Sequence, residues 1–136
     1  MNIYYDFHIH SCLSPCGDDD NTPNNIVNMA LIKGLNAIAL SDHNTGKNCP
    51  ATIAAGKKNG LVVLPAMELT TSEDIHVLCL FEKYEQLAAL EEYIAPRRMR
   101  IKNREEIFGR QLIMNEFDEV IGREEDLLIV SSGVSV

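Results

Sequence analysis

The sequence predicts an α/β fold built on parallel strands, and three observations carry that prediction. Segments with strand-type alternation or short apolar runs alternate with segments of helical periodicity. The helical segments carry start and stop signals where they are needed: Thr22-Pro23 before one, Gly34 after it, and Gly60 after the next. The histidines and several acids fall at or near strand ends, where ligands collect in parallel α/β architectures.

Residues 2–9 read as the first strand. Ile3, Tyr5, Phe7 and Ile9 alternate with Tyr4, Asp6, His8 and His10, so one face is apolar while the other carries an acid and two imidazoles. A polar loop, SPCGDDDN, leads to Thr22 as N-cap and Pro23 at the first helical position. Ile26, Val27, Ala30 and Leu31 form the apolar stripe of that helix. Residues 36–41 predict a second strand, followed at once by Asp42-His43-Asn44, and a helix is expected over about 50–58. Residues 61–66 predict a third strand with Glu68 just beyond it, and 75–81 a fourth with His76 near its start. Leu87, Leu90 and Ile94 mark a helix over about 84–94. Residues 111–122 read as a β-hairpin, two apolar runs around Asn115-Glu116-Phe117-Asp118, and residues 127–130 (LLIV) as a last short strand.

The chain has 136 residues, enough for one domain spanning 1–136. It contains nothing close to the roughly 20 consecutive apolar residues of a membrane span. MNIYYDFHIH lacks the basic start and apolar run of a secretory signal, so a cytoplasmic location is expected. The net charge of −8 disfavours diffuse nucleic-acid binding, although bound cations let an acidic protein act on phosphate esters. Arg97, Arg98, Arg100, Lys102 and Arg104 are the exception to the acidic average, readable as a solvated surface or as an anion-binding patch. Cys12, Cys16, Cys49 and Cys79 are expected to be reduced and structural, with Cys79 in an apolar run. The C-x3-C spacing of the first two is only a weak zinc signal.

Neutral imidazole is a common ligand for zinc, iron and manganese. His8 and His10, two apart on one strand, stand about 7 Å apart along the backbone and on one face, so both rings reach one ion. His43 and Glu68 follow strands, His76 opens one, and Asp18, Asp19 and Asp20 lie in the polar loop. Every histidine of the chain belongs to this set, which makes a metal site the expected chemistry.

These residues carry a resemblance. Asp6-Phe7-His8-Ile9-His10-Ser11, Ser41-Asp42-His43-Asn44, and Met67-Glu68-Leu69 followed by Ile75-His76-Val77 resemble the successive motifs of the PHP (polymerase and histidinol phosphatase) family. The resemblance runs over residues 3–81. It implies part of a distorted (β/α)7 barrel with two or three divalent ions (zinc, manganese or iron) at the strand ends. The implied activity is hydrolysis of a phosphomonoester or phosphodiester by a metal-activated water. By position it implies His8, His10, Asp18, His43, Glu68 and His76 as ligands, with Glu68 and His43 at the reacting centre and Glu68 bridging two ions. Asp6 and Asp42 would orient the imidazoles. The alternatives are a non-catalytic metal-binding or regulatory module, or a nucleic-acid-processing module; the acidic charge opposes the latter.

The family closes its site with another histidine and then an Asp-x-His pair, whereas no histidine follows His76 here. The family domain is also longer. The expectation is therefore a C-terminally truncated, partial domain with negligible activity by itself. Leu127–Val130 and the apolar side of the hairpin should then be covered by a second copy of the chain or by a missing C-terminal segment, giving self-association.

Overall fold

A computed structural model describes residues 1–136. Four strands, β1 (Tyr5–Ile9), β2 (Ala37–Leu40), β3 (Val62–Thr70) and β4 (His76–Leu80), form one sheet in the order β1-β2-β3-β4. Helices α1 (Pro23–Ile32) and α2 (Cys49–Asn59) link the first three strands, and α3 (Tyr84–Ile94) follows the fourth. A short helix α4 (Glu105–Phe108), with no apolar stripe to announce it, precedes a two-stranded sheet of β5 (Leu112–Met114) and β6 (Val120–Arg123). The four-stranded sheet curls as part of a barrel wall. No helix is long and apolar enough to cross a membrane.

The helix signals act as expected. The Thr22 hydroxyl accepts the Asn25 N–H, Pro23 opens α1, and Gly34 turns the chain away at φ 76°. Gly60 ends α2 in the same left-handed conformation. The N-terminus of α1 has a second partner: Asp118, in the β5–β6 turn, accepts hydrogen bonds from the Thr22 hydroxyl (2.6 Å) and the Asn24 backbone N–H (3.0 Å). The hairpin is thereby tied to the first βα unit. The main core lies between the helices and the sheet, where Val27, Ile38, Leu40, Met67, Leu87 and Ile94 are nearly free of solvent.

Three strand expectations are corrected. β1, β2 and β3 are parallel, but β4 runs antiparallel to β3, with Thr70 opposite His76 and Ala66 opposite Leu80. β3 extends to Thr70, so Glu68 lies within it and only residues 71–75 separate the two strands, far fewer than the dozen or more a parallel crossover needs. On β1, an edge strand, the apolar face is only partly covered. Ile3 and Tyr5 are exposed, Tyr5 stacks on Phe7 with ring centroids 4.4 Å apart, and Ile9 alone of the set packs against the core.

Residues 127–130 do not form a strand. Leu127 and Leu128 are buried within the chain itself, and Ile129 and Val130 are partly buried. The Leu127 N–H donates to the Ile101 carbonyl (2.7 Å), and much of the remaining backbone is bound by side-chain amides. Asn44 donates to the carbonyls of Leu128 and Val130 (both 2.7 Å), and Gln111 accepts the Leu128 N–H (2.9 Å). Gln111 also donates to the carbonyls of Glu124 and Asp126, while Asn44 accepts the Thr70 N–H. A third amide, Asn48, donates to the Leu112 carbonyl (3.0 Å) and accepts the Met114 N–H (2.9 Å). All three side chains are fully buried, and each binds backbone groups that lack a ladder partner.

Candidate metal centre

His8 lies near the end of β1, and His10 directly follows that strand. The β2–β3 ladder continues past Leu40: the Glu68 N–H donates to the Asp42 carbonyl and the Asn44 N–H to the Glu68 carbonyl, both at 3.0 Å. This brackets His43 beside Glu68. His76 opens β4 two positions along the hairpin from the residue opposite Glu68, a diagonal that long side chains span. Four histidines from two strand ends and a hairpin therefore meet one carboxylate.

The two oxygens of Glu68 face different partners. Oε2 lies 2.9 Å from His8 Nε2 and 2.8 Å from His10 Nε2, while Oε1 lies 3.0 Å from His76 Nδ1. Two groups of donor atoms result: His8, His10 and Glu68, and His43, Glu68 and His76. Within each, the atoms lie within 4.8 Å of one another. Burial works to raise the Glu68 carboxyl, but the His8 hydrogen bond and the neighbouring His43 and His10 outweigh it and hold the group below its ordinary range. Burial, and next the charge of His10, push His43 down to about 4, leaving a neutral ring. His10 is lowered as well, chiefly by burial.

A hydroxyl relay sets the tautomer of His10. Asp42, buried beneath the cluster, accepts the Ser11 N–H (2.7 Å), the Ser11 hydroxyl (2.6 Å) and the Ser14 hydroxyl (2.7 Å). Burial pushes the Asp42 carboxyl up, and these donors draw it back. With its proton given to Asp42, Ser14 Oγ accepts from His10 Nδ1 at 3.0 Å and from the His43 N–H at 3.2 Å. Nδ1 of His10 is then the protonated nitrogen, and Nε2 turns its lone pair to the cluster, the arrangement expected of a ligating imidazole.

The donor set fits a divalent cation. His43 Nδ1 is buried without a hydrogen-bond partner, 3.8 Å from Glu68 Oε2. His8 Nε2 and His10 Nε2 approach to 3.1 Å, so two nitrogens and a carboxylate oxygen crowd a single point. A cation there would satisfy the His8, His10 and Glu68 atoms that crowd it.

The structure brings together His8, His10, His43, Glu68 and His76 but not Asp18. The Asp18 carboxylate accepts the Asp20 N–H at 2.8 Å, closing a turn at the surface, and it belongs to no donor group. Asp19 pairs with Arg110, and Asp20 is exposed. The loop residue that reaches the rings is Cys16, whose Sγ is 3.4 Å from His43 Nε2 and which forms a third donor group with His10 and His43. A structural role holds for buried Cys12 and Cys49, and Cys79 is half-buried against the core, but Cys16 is exposed. Asp6 accepts the His8 backbone N–H (3.0 Å) and so positions the chain, not a ring; Asp42 reaches His10 only through Ser14. Of the basic run, Arg97 lies over the Tyr93 ring, Arg100 pairs with Asp126 and Arg104 with Glu106, as surface residues do.

Gly17 lets the loop close. A Cβ there would overlap the Ser11 carbonyl, which cannot move without disturbing the Asp42 network. Gly17→Ala is expected to cost about 2 kcal/mol of unfolding free energy, measured by urea denaturation. A loss within about 0.5 kcal/mol would show that the loop is not packed this way.

A family model for the PHP domain matches residues 6–128. A 5'-3' exoribonuclease of Haemophilus influenzae is 32% identical over 87 residues, which are 61% of this chain and 31% of that protein. A protein assigned as a metal-dependent phosphoesterase from Bifidobacterium adolescentis aligns in structure with TM-score 0.53 and 25% identity, covering 72% of this chain and 35% of that one. An amidohydrolase from Chromobacterium violaceum, solved with bound sulfate and no metal, aligns with TM-score 0.54 and 26% identity over 68% of this chain and 34% of its own. The chain thus spans about a third of the length of each.

Proposed function

Because the chain belongs to the PHP domain family, we propose that it holds a pair of divalent cations and acts in the hydrolysis of a phosphoester. Family and structural neighbours alike support a metal-dependent hydrolase. The observation that carries the finer reading is the division of the Glu68 carboxylate, one oxygen toward His8 and His10 and the other toward His76.

Bound cations supply positive charge to phosphate oxygens and acidify water. The protein's part is positional. His8, His10 and Glu68 would hold one cation, Glu68 and His76 would help to hold the other, and His43 would give one ring nitrogen. Glu68 and His43 are the residues proposed to face the reacting phosphoryl group. Asp42, through Ser14, keeps the His10 lone pair directed inward. Ser11 and Ser14 are not nucleophiles in this scheme, since both are fully buried and their oxygens already accept N–H hydrogen bonds. Turnover by residues 1–136 alone is proposed to be slow, because no histidine follows His76 to complete the coordination.

The test is calorimetric and needs no turnover. Inorganic phosphate should bind the protein loaded with Zn²⁺ or Mn²⁺ and not the protein in chelator. Phosphate binding indifferent to metal, or no uptake of metal at all, would end the proposal. The likeness to an exoribonuclease favours a second reading, in which the phosphoester belongs to RNA. A 5′-phosphorylated oligoribonucleotide would then displace phosphate at far lower concentration than a simple phosphomonoester does, despite the net charge of −8.

A further inference from the structure

We propose that Cys16 is a thiolate ligand, acting with His10 and His43, and that it biases the centre toward zinc and away from manganese and magnesium. The inference rests on the reading that the centre holds divalent metal.

Four observations carry it. The donor atoms of His10, Cys16 and His43 lie within 4.8 Å of one another, as do those of each of the two histidine–carboxylate groups. Cys16 Sγ has one polar neighbour, His43 Nε2 at 3.4 Å, whereas Cys12 and Cys49 direct their thiols at backbone carbonyls in the interior. The His43 side chain is 5% exposed, and its other nitrogen, Nδ1, has no hydrogen-bond partner. No carboxylate of the loop competes for the place, because Asp18 is turned into its own surface turn and Asp19 is paired with Arg110.

The ring of His43 decides the geometry. It stands between Cys16 on its Nε2 side and Glu68 on its Nδ1 side, and a neutral imidazole has one lone pair. With the lone pair on Nε2, the hydrogen sits on Nδ1 and points toward Glu68 Oε2. Nε2 then joins Cys16 on the ion that the single free lone pair of His10 holds, and the Cys16 thiol proton leaves to solvent as the sulfur–metal bond forms. Thiolate is a soft donor that suits zinc, while manganese and magnesium favour oxygen. A cysteine in this loop position in place of a carboxylate therefore changes which ion is held.

Cobalt(II) replaces zinc and reports both questions at once. Titration of the reduced protein should develop visible d–d bands, which report any tetrahedral site, and a near-ultraviolet sulfur-to-cobalt charge-transfer band, which reports thiolate. Cys16→Ser should keep the d–d bands and lose the charge-transfer band, and zinc affinity should fall more than about tenfold. Cys16→Asp should narrow the preference for zinc over manganese. Cys79→Ser, away from the centre, should leave both signals in place. Bands of d–d type without charge transfer in the unaltered protein would overturn the role of Cys16 and leave the metal reading standing. A charge-transfer band that persists in Cys16→Ser would do the same. Absence of any cobalt spectrum would overturn both.

Discussion

Replacing Glu68 with glutamine is expected to weaken metal binding by about 100-fold or more, the largest effect of any single substitution at the centre. The side chain keeps its shape, so the loss isolates charge and donor character. A carboxylate turns lone pairs toward His8 and His10 from one oxygen and toward His76 from the other. A carboxamide has one oxygen, and its NH2 would point hydrogens at whichever set of ligands it faced. Calorimetric titration with Zn²⁺ measures the affinity, and thermal unfolding gives an independent readout. Metal at about a thousand times its Kd stabilises the folded state by about 4 kcal/mol, and a hundredfold loss of affinity leaves about 1.4 kcal/mol at the same concentration. Affinity within tenfold of the unaltered protein would show that Glu68 does not join two ions.

Asp42→Ala is the second large effect, and it strikes the fold before the chemistry. The carboxylate is buried and accepts three hydrogen bonds, one from the backbone N–H of Ser11. The two hydroxyls can turn elsewhere, but the backbone N–H cannot, and each buried donor left unpaired costs about 1–3 kcal/mol. A total loss of about 3–4 kcal/mol is expected, measured by urea unfolding in chelator so that metal affinity does not enter. A second consequence appears on adding metal. The freed Ser14 hydroxyl turns its proton to His10 Nδ1, moving the ring hydrogen to Nε2 and closing that lone pair to the cluster. Zinc affinity should therefore fall in whatever fraction remains folded. A loss of stability below about 1 kcal/mol would mean that the relay is not built around this carboxylate.

The sequence announces elements whose signals are local. Thr22-Pro23, Gly34 and Gly60 bound α1 and α2 because capping depends on the residues at the cap itself. The five clustered side chains, His8, His10, His43, Glu68 and His76, are legible because the sequence places each at or beside a strand end, and the strand ends of one sheet share a rim. What escaped depends on contacts distant in sequence. Leu127 and Leu128 have the composition of a strand, but the Leu128 backbone is held by amides at Asn44 and Gln111 and the Leu127 N–H by the Ile101 carbonyl. The direction of β4 turned on how far β3 runs past Pro65, and Glu68 and Thr70 do not look like strand interior until they are paired with Leu78 and His76. Asp18 was the chemically obvious loop ligand. Gly17 instead folds the loop tightly against Ser11, so that Cys16, although exposed, lies beside His43 while the Asp18 carboxylate closes its own turn. Ser11 and Ser14 carried no signal of their own, since a serine becomes a relay only once a buried acid and an imidazole lie on either side of it.

The three buried amides have a consequence for how this part of the chain tolerates change. Asn44, Asn48 and Gln111 bind Leu112, Met114, Glu124, Asp126, Leu128 and Val130 through main-chain groups, which every residue except proline offers alike. Side chains between the pins, such as exposed Phe117 and Ile121, are not recognised by them, so composition there can drift. Spacing cannot. One residue inserted or deleted between Gln111 and Leu128 would set every later carbonyl and N–H out of step with its amide. Natural variants of this segment should differ by substitution and keep their length, even though much of it lacks regular secondary structure.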